Sequence, residues 1–172
     1  MFLKYVSDLH VYPIFKFVKT HYKKFKNNVF LYKFNYEGYF NAFKATSIGE
    51  SNAKVKGASS GDEICYLFNC EPLVDVYVKV NKDEKHRDRV FIKKITELWS
   101  NFVKHGDPTP PNFKGEITWP PVSANKYNML LIGNKFRIIE PRKEQEMFSF
   151  WSDIYEKYFN PKTCHNYHHD EL

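Results

Sequence analysis

The chain has 172 residues, the length of one ordinary domain, and its 42% hydrophobic and 18% aromatic content excludes a disordered tail. A formal charge of +6 and an isoelectric point near 9.0 raise nucleic acid or an anionic membrane as partners. Lys16, Lys19, Lys23, Lys24 and Lys26 follow one amphipathic segment as a solvated face, and no arginine cluster, RNA-binding motif or zinc motif accompanies them, so no nucleic-acid partner is expected.

Ser7 and Asp8 are N-cap candidates, and a proline is tolerated near a helix start. The first helix is therefore predicted from about Pro13 to Tyr22, with Ile14, Phe17, Val18 and Tyr22 at helical spacing. Val29 to Tyr36 is rich in β-branched and aromatic residues and is predicted as a strand. Its Phe30, Tyr32, Phe34 and Tyr36 form the better face for burial, opposite Val29, Leu31, Lys33 and Asn35. Thr46 to Ser60 reads as loop, with Gly49 and Gly57 inside it. Asp62 and Glu63 then open a short helix, where acidic side chains suit the positive end of the dipole; that role is preferred to a catalytic one. Asp83 to His105 is the clearest long helix. Its Phe91, Ile95, Leu98, Trp99 and Phe102 make a core stripe, and Gly106 with Pro108 stops it. His105 suits the negative end of that helix. After an irregular, proline-rich stretch from Pro108 to Val122, Met129–Ile132 and Phe136–Ile139 are predicted as two strands joined around Gly133-Asn134. Lys143 to Phe159 closes the chain as a helix with Met147, Phe148, Trp151, Ile154, Tyr155 and Tyr158 on its apolar side. No internal repeat is evident.

Cys65, Cys70 and Cys164 are an odd count, so at least one thiol stays unpaired within the chain. If Cys65 and Cys70 share one short helix at i and i+5, their side chains point to different faces and a mutual bridge is disfavoured. Cys65 then reads as a small buried apolar residue, and no disulfide framework is established.

The two ends carry different messages. No run is long and apolar enough to span a membrane, and Met1-Phe2-Leu3-Lys4-Tyr5 lacks the order of a secretory signal. His169-Asp170-Glu171-Leu172 is the HDEL tetrapeptide at the extreme C-terminus, a receptor-read address for retention in the endoplasmic reticulum. His165 and His168 raise a metal-binding tract as the alternative, but the address matches at the one position where it works. The expected partner is thus the HDEL/KDEL receptor, and the expected location of the parent protein is the reticulum lumen. A retention address needs a route into the lumen. Either residue 1 is not the parent's true start, or the chain comes from a shortened gene copy.

Gly57-Ala58-Ser59-Ser60-Gly61-Asp62-Glu63-Ile64-Cys65-Tyr66-Leu67-Phe68 resembles the loop that delivers the catalytic histidine in type-B carboxylesterases, the cholinesterase-like α/β-hydrolases, where it runs Gly-x-x-His-x-(Asp/Glu)-(Asp/Glu)-apolar-x-Tyr-x-Phe. Ser60 stands in the histidine slot. The likeness continues through Ser7-Asp8 with Tyr12-Pro13-Ile14, the strand segment Val29 to Tyr36 with Gly38 behind it, and Leu98-Trp99-Ser100-Asn101-Phe102-Val103-Lys104-His105-Gly106-Asp107-Pro108-Thr109-Pro110. Trp119-Pro120-Pro121-Val122 and Phe148-Ser149-Phe150-Trp151-Ser152-Asp153-Ile154-Tyr155 complete it, so it extends along nearly the whole chain.

The resemblance implies an α/β fold, namely the C-terminal part of an α/β-hydrolase with an incomplete sheet and packed helices. Residues 1–160 would form that part and 161–172 an exposed tail. It also implies hydrolysis of carboxylic esters by a serine, an acid and a histidine in that chain order. The chain has no Gly-x-Ser-x-Gly elbow and no Gly-Gly pair for an oxyanion loop, and the family's acid would fall upstream of Met1. No histidine occurs between His21 and His86 to replace the one absent at position 60. A serine hydroxyl cannot accept and hold a proton near neutrality, and nothing nearby makes Ser60 a nucleophile. No intact catalytic residue, cofactor or metal is expected. The expected function is that of a fragment or truncated member of the family, inactive alone, whose partner is the missing N-terminal part of the fold. The alternative is a noncatalytic cholinesterase-like module that binds proteins, since adhesion members of the family also lack triad residues.

Overall fold

The computed structural model describes residues 2–25, 27–48, 55–123 and 126–159. A three-stranded sheet lies at its centre, in the order β1 (Leu31–Phe34), β2 (Met129–Ile132), β3 (Phe136–Ile139). β1 and β2 are parallel, with Leu31 opposite Met129 and Phe34 opposite Ile132. β2 and β3 form the expected antiparallel hairpin at the expected bounds, Met129 facing Ile139. The strand β1 is shorter than predicted, although both flanks remain bonded, one to the loop before β2 and one to the end of β2 itself. The Val122 N–H donates to Val29 O at 2.7 Å, and the Asn35 N–H to Ile132 O at 2.8 Å.

Both faces of the sheet are covered, as parallel strands require. On one face, Leu130 and Ile132 pack with Phe91, Ile95 and Leu98 of α5 (Arg87–His105), together with Phe40, Tyr66, Val80 and Trp119. On the other, Leu31 and Met129 pack with Phe15 and Val18 of α1 (Phe2–Phe25) and with Val122. The predicted buried face of β1 holds only in part. Phe30 and Phe34 pack against the α5 core and Tyr36 is buried, yet Tyr32 is 36% exposed while Leu31 on the opposite face is 7% exposed.

α1 overturns the expected helix start. It begins at Phe2 and carries Pro13 inside, on an exposed face. The hydrogen bond that proline forgoes is outweighed by a buried stripe, Tyr12, Phe15 and Val18, seated against α6 (Arg142–Tyr158) and the sheet. Tyr12 stacks on Phe148 and Tyr155, with ring centres 5.3 and 4.9 Å apart. Asp8 accepts from the Trp151 indole N–H at 3.2 Å and ties α1 to α6 instead of capping a helix. Ile14 and Phe17, expected on the apolar side, are exposed.

Elsewhere, the expected loop from Thr46 begins as helix, because α2 (Ala42–Ile48) extends into it; residues 49–54 lie outside the described residues. α3 (Ile64–Leu67), a 3-10 turn (Glu71–Leu73) and α4 (Val74–Asn81) follow, the last two absent from the sequence expectation. Asp83 therefore does not start the long helix. It forms a turn whose carboxylate accepts from the Lys85 N–H, and α5 starts at Arg87 with His86 as its cap. The expected stop at Gly106 holds, in the left-handed region at φ 69°. Cys164 and the 161–172 tail with His169, Asp170, Glu171 and Leu172 lie outside the described residues. Among the described residues no helix is long and apolar enough to cross a membrane.

Candidate active-site loop

The chain leaving β1 at its carboxyl end folds into a frame for the 57–62 turn. In open α/β sheets, functional loops gather outside the carboxyl ends of parallel strands, and this turn is tied to that end of β1. Asn41 is the first link. Its side-chain amide donates to Tyr36 O at 2.9 Å and accepts from the Gly38 N–H at 2.7 Å, fixing the bend after the strand. The same amide donates to Asp62 Oδ2 at 3.1 Å.

Asp62 is fully buried and accepts two further bonds, from the Ser59 N–H at 2.7 Å and the Lys44 N–H at 2.9 Å. Lys44 is the third residue of α2, where a helix leaves an N–H without an internal partner. Asp62 thus satisfies an orphan donor of α2 across the chain while holding the turn around Ser59. This corrects the expected role of Asp62 at the start of a helix of its own; Glu63 stands at the N-cap of α3 without a side-chain cap bond. The outer side of the turn is held by Glu37, which accepts from the Gly57 N–H at 2.7 Å and pairs with Lys44 at 3.3 Å. The Gly57 hydrogen bond, and then Lys44, keep the Glu37 carboxyl below the usual carboxylate range.

A second buried carboxylate lies behind this frame. Asp88, fully buried in the first turn of α5, accepts from the Tyr36 hydroxyl at 2.5 Å and the Tyr39 N–H at 2.9 Å, with Arg87 Nε at 3.6 Å. Tyr66 from α3 donates to Asn41 Oδ1 at 2.7 Å. Burial, followed by the neighbouring Asp88, pushes the Tyr36 and Tyr66 hydroxyls well above the ordinary tyrosine range. Tyr32 donates to Glu63 at 3.3 Å and is pushed up to about 12, first by burial and then by that carboxylate.

Ser60 sits at the exposed tip of this turn, next to Gly61 at φ 88°. Among the described residues its hydroxyl has no base beside it. His86 caps α5 by accepting from the Asp88 N–H, His105 is exposed at the far end of that helix, and His21 lies between the rings of Phe17 and Phe25 on α1. No group of acidic residues, cysteines or histidines among the described residues could hold a metal ion. The turn can present a side chain rigidly, but Ser60 cannot take and return a proton there.

Cys65 and Cys70 are joined in a disulfide, against the sequence expectation. They do not share a helix: α3 ends at Leu67, Phe68 is extended, and the chain doubles back until the two Cα atoms are 5.4 Å apart. Tyr77 seals this small loop, its hydroxyl donating to Cys65 O at 2.6 Å and accepting from the Cys70 N–H at 3.2 Å.

Residues 2–151 match the profile described as the carboxylesterase family. The chain belongs to that family. This carboxylesterase-family chain is 31% identical to acetylcholinesterase 4 of Caenorhabditis briggsae over 115 residues, which are 65% of the chain and 18% of that protein. It is 32% identical to esterase E4 of Myzus persicae over 97 residues, 56% of the chain and 16% of that esterase. Human neuroligin-2 is 25% identical over 137 residues, 73% of the chain and 16% of its own length. Among solved structures, juvenile hormone esterase from Manduca sexta, with OTFP covalently attached, superposes with a TM-score of 0.64 at 19% identity, covering 84% of the chain and 26% of the esterase. The fold is accordingly a partial α/β-hydrolase. The chain spans less than a fifth of these curated relatives.

Asn41, Glu37 and Asp88 were not legible as parts of the loop frame. Gly38-x-x-Asn41 after a strand is the kind of short-range turn signal that points to Asn41. Asp88 meets Tyr36 from 52 positions away and leaves no local signature.

Proposed function

We propose that this chain is the C-terminal part of a carboxylesterase domain, that Ser60 occupies the position of the catalytic histidine, and that the chain alone hydrolyses no ester. The observation that carries this reading is the frame around position 60. A buried carboxylate, a bridging asparagine and a left-handed glycine hold one exposed side chain at the carboxyl end of a parallel strand, and that side chain cannot act as a base. The nucleophile, the acid and the oxyanion donors would come from the rest of the domain. Its sheet would join at the outer edge of β1, which no described strand covers.

The HDEL tetrapeptide at His169, Asp170, Glu171 and Leu172 supports retention of the parent protein in the endoplasmic reticulum through the HDEL receptor. The Cys65–Cys70 bond supports the same reading, since disulfides persist in oxidising compartments.

The test is an aryl acetate assay of the purified chain, followed by the same assay on a longer parent carrying Ser60 and its Ser60→His variant. The expected result is no rate above background for the chain and a rise of about 10²-fold or more on Ser60→His where an elbow and an acid are present upstream. High activity with Ser60 intact would show that the histidine lies elsewhere. The second reading, a binding module without catalysis, is favoured by the absence of a base at an exposed Ser60, and it predicts no gain from Ser60→His.

A further inference from the structure

The layer formed by α1 and α6 carries a shallow, open cleft of about 360 Å³. Tyr12, Lys16 and Lys19 line it from α1 at positions i, i+4 and i+7, and Phe148, Ser152 and Tyr155 line it from α6 at i, i+4 and i+7. The matched spacings follow from the helical repeat, which places residues about one turn apart on one face. Three stacked rings make the floor: Tyr12 lies between Phe148, tilted 23° to it, and Tyr155, tilted 8°.

Two ammonium groups stand over that floor. Lys16 Nζ is 5.7 Å from the Tyr12 ring centre and 5.2 Å from that of Tyr155, and Lys19 Nζ is 5.2 Å above Phe148. Three described lysines pair with carboxylates, Lys33 with Glu144, Lys44 with Glu37 and Lys94 with Glu116. Lys16 and Lys19 have no such partner among the described residues, although Glu156 lines the same cleft. An aromatic floor offers area to an apolar body, and two cations at its rim, against the one carboxylate of Glu156, attract a negative head. We infer that this cleft binds a free carboxylate with an apolar body, such as a medium-chain acyl or arylalkyl acid. The acid's tail lies along the Phe148–Tyr12–Tyr155 stack and its head lies between Lys16 and Lys19. None of the lining residues belongs to the 55–70 segment, so the site is separate from the loop that presents Ser60 and does not depend on the reading of that loop.

The test titrates a dansyl-labelled undecanoate into the full chain at low micromolar protein and displaces it with unlabelled ligands. Decanoate is expected to displace the probe, whereas decanol, with the same body and no charge, and acetate, with the charge and no body, each require at least about tenfold more. Lys16→Gln with Lys19→Gln should weaken decanoate by about tenfold, the sum of two exposed charge contacts. Lys23→Gln with Lys24→Gln, on the same helix but outside the cleft, should leave binding unchanged, and circular dichroism of each variant checks the fold. Tyr155→Ser provides an independent loss, of the floor and not the head group. Equal binding of decanol, or decanoate affinity unchanged in both cleft variants, overturns the proposal. So does capture of the chain on phosphatidylserine vesicles without displacement of the probe by decanoate, which would assign the cleft to a membrane surface.

Discussion

A methyl group at position 38 would lie 2.4 Å from Asp88 Oδ1, 2.5 Å from the Tyr66 hydroxyl and 2.8 Å from the Tyr36 ring, so Gly38 is required by packing and not by its torsion. The groups it keeps apart include the buried Asp88 carboxylate and the Tyr66 hydroxyl that bonds Asn41. Gly38→Ala is therefore expected to cost on the order of 1–3 kcal/mol, the usual range for overpacking, and urea unfolding of the variant measures it. Asp62→Ala removes the acceptor of three N–H groups in a dry site, and a loss of about 3 kcal/mol or more is expected from the donors left behind. A wild-type unfolding midpoint in Asp62→Ala would show that water replaces the carboxylate at no cost. The tyrosines add a pH dependence. Tyr32 is pushed up to about 12 and Tyr36 and Tyr66 are shifted the same way, so their protonated forms are favoured in the folded state. That contribution is complete below the unfolded value near pH 10 and is lost as pH rises through the folded values. Stability should accordingly fall between about pH 10 and 12, and tyrosinate absorbance should appear together with unfolding. Titration of these tyrosines near pH 10 in a chain that stays folded would contradict it.

Elements differ in how openly the sequence declares them. The β2–β3 hairpin and the end of α5 are legible to the residue because each rests on a local device, Gly133-Asn134 in one and a left-handed Gly106 in the other. α1 is not, because Pro13 is a local stop signal overruled by distant partners: the stripe of Tyr12, Phe15 and Val18 finds α6 and Met129 of β2, more than a hundred residues away in sequence. This predicts that Pro13 is a liability in the folded chain. Pro13→Ala should stabilise it by about 1–3 kcal/mol, since proline inside a helix costs about 3 kcal/mol relative to alanine, and thermal unfolding reads the change. The Cys65–Cys70 bridge was misread for the same kind of reason. The i, i+5 argument holds on a continuous helix, and α3 stops after four residues because Tyr77, on α4, pulls the following carbonyls and amides into a reversed loop. The candidate site was legible as a motif, from Gly57 through Phe68, while its frame was not. Asn41, Glu37 and Asp88 act through contacts that no sequence period encodes.

At the scale of the whole molecule, the described surface carries many large apolar side chains. Much of what it shows is apolar: Val103 is 82% exposed, Phe68 68% and Phe17 65%. The outer edge of β1 presents backbone donors and acceptors that no described strand takes up, beside a shallow aromatic hollow lined by Phe30, Tyr32, Trp99, Phe102 and Trp119. An open edge next to exposed apolar side chains is a template for association with whatever chain is at hand. The isolated chain is thus expected to self-associate as its concentration rises, with light scattering increasing from the micromolar range upward. Phe102→Lys, at the rim of that hollow and 46% exposed, should suppress the association while lowering the unfolding midpoint only modestly, because about half of the residue is exposed in the folded chain. If the chain is part of a larger domain as proposed, co-production with the upstream part of a longer parent should suppress it further, since a strand seated on β1 would remove the template itself. A chain that stays monomeric at about 100 μM would show that the edge is guarded from within, and the account of a sheet waiting for its neighbour would fail with it.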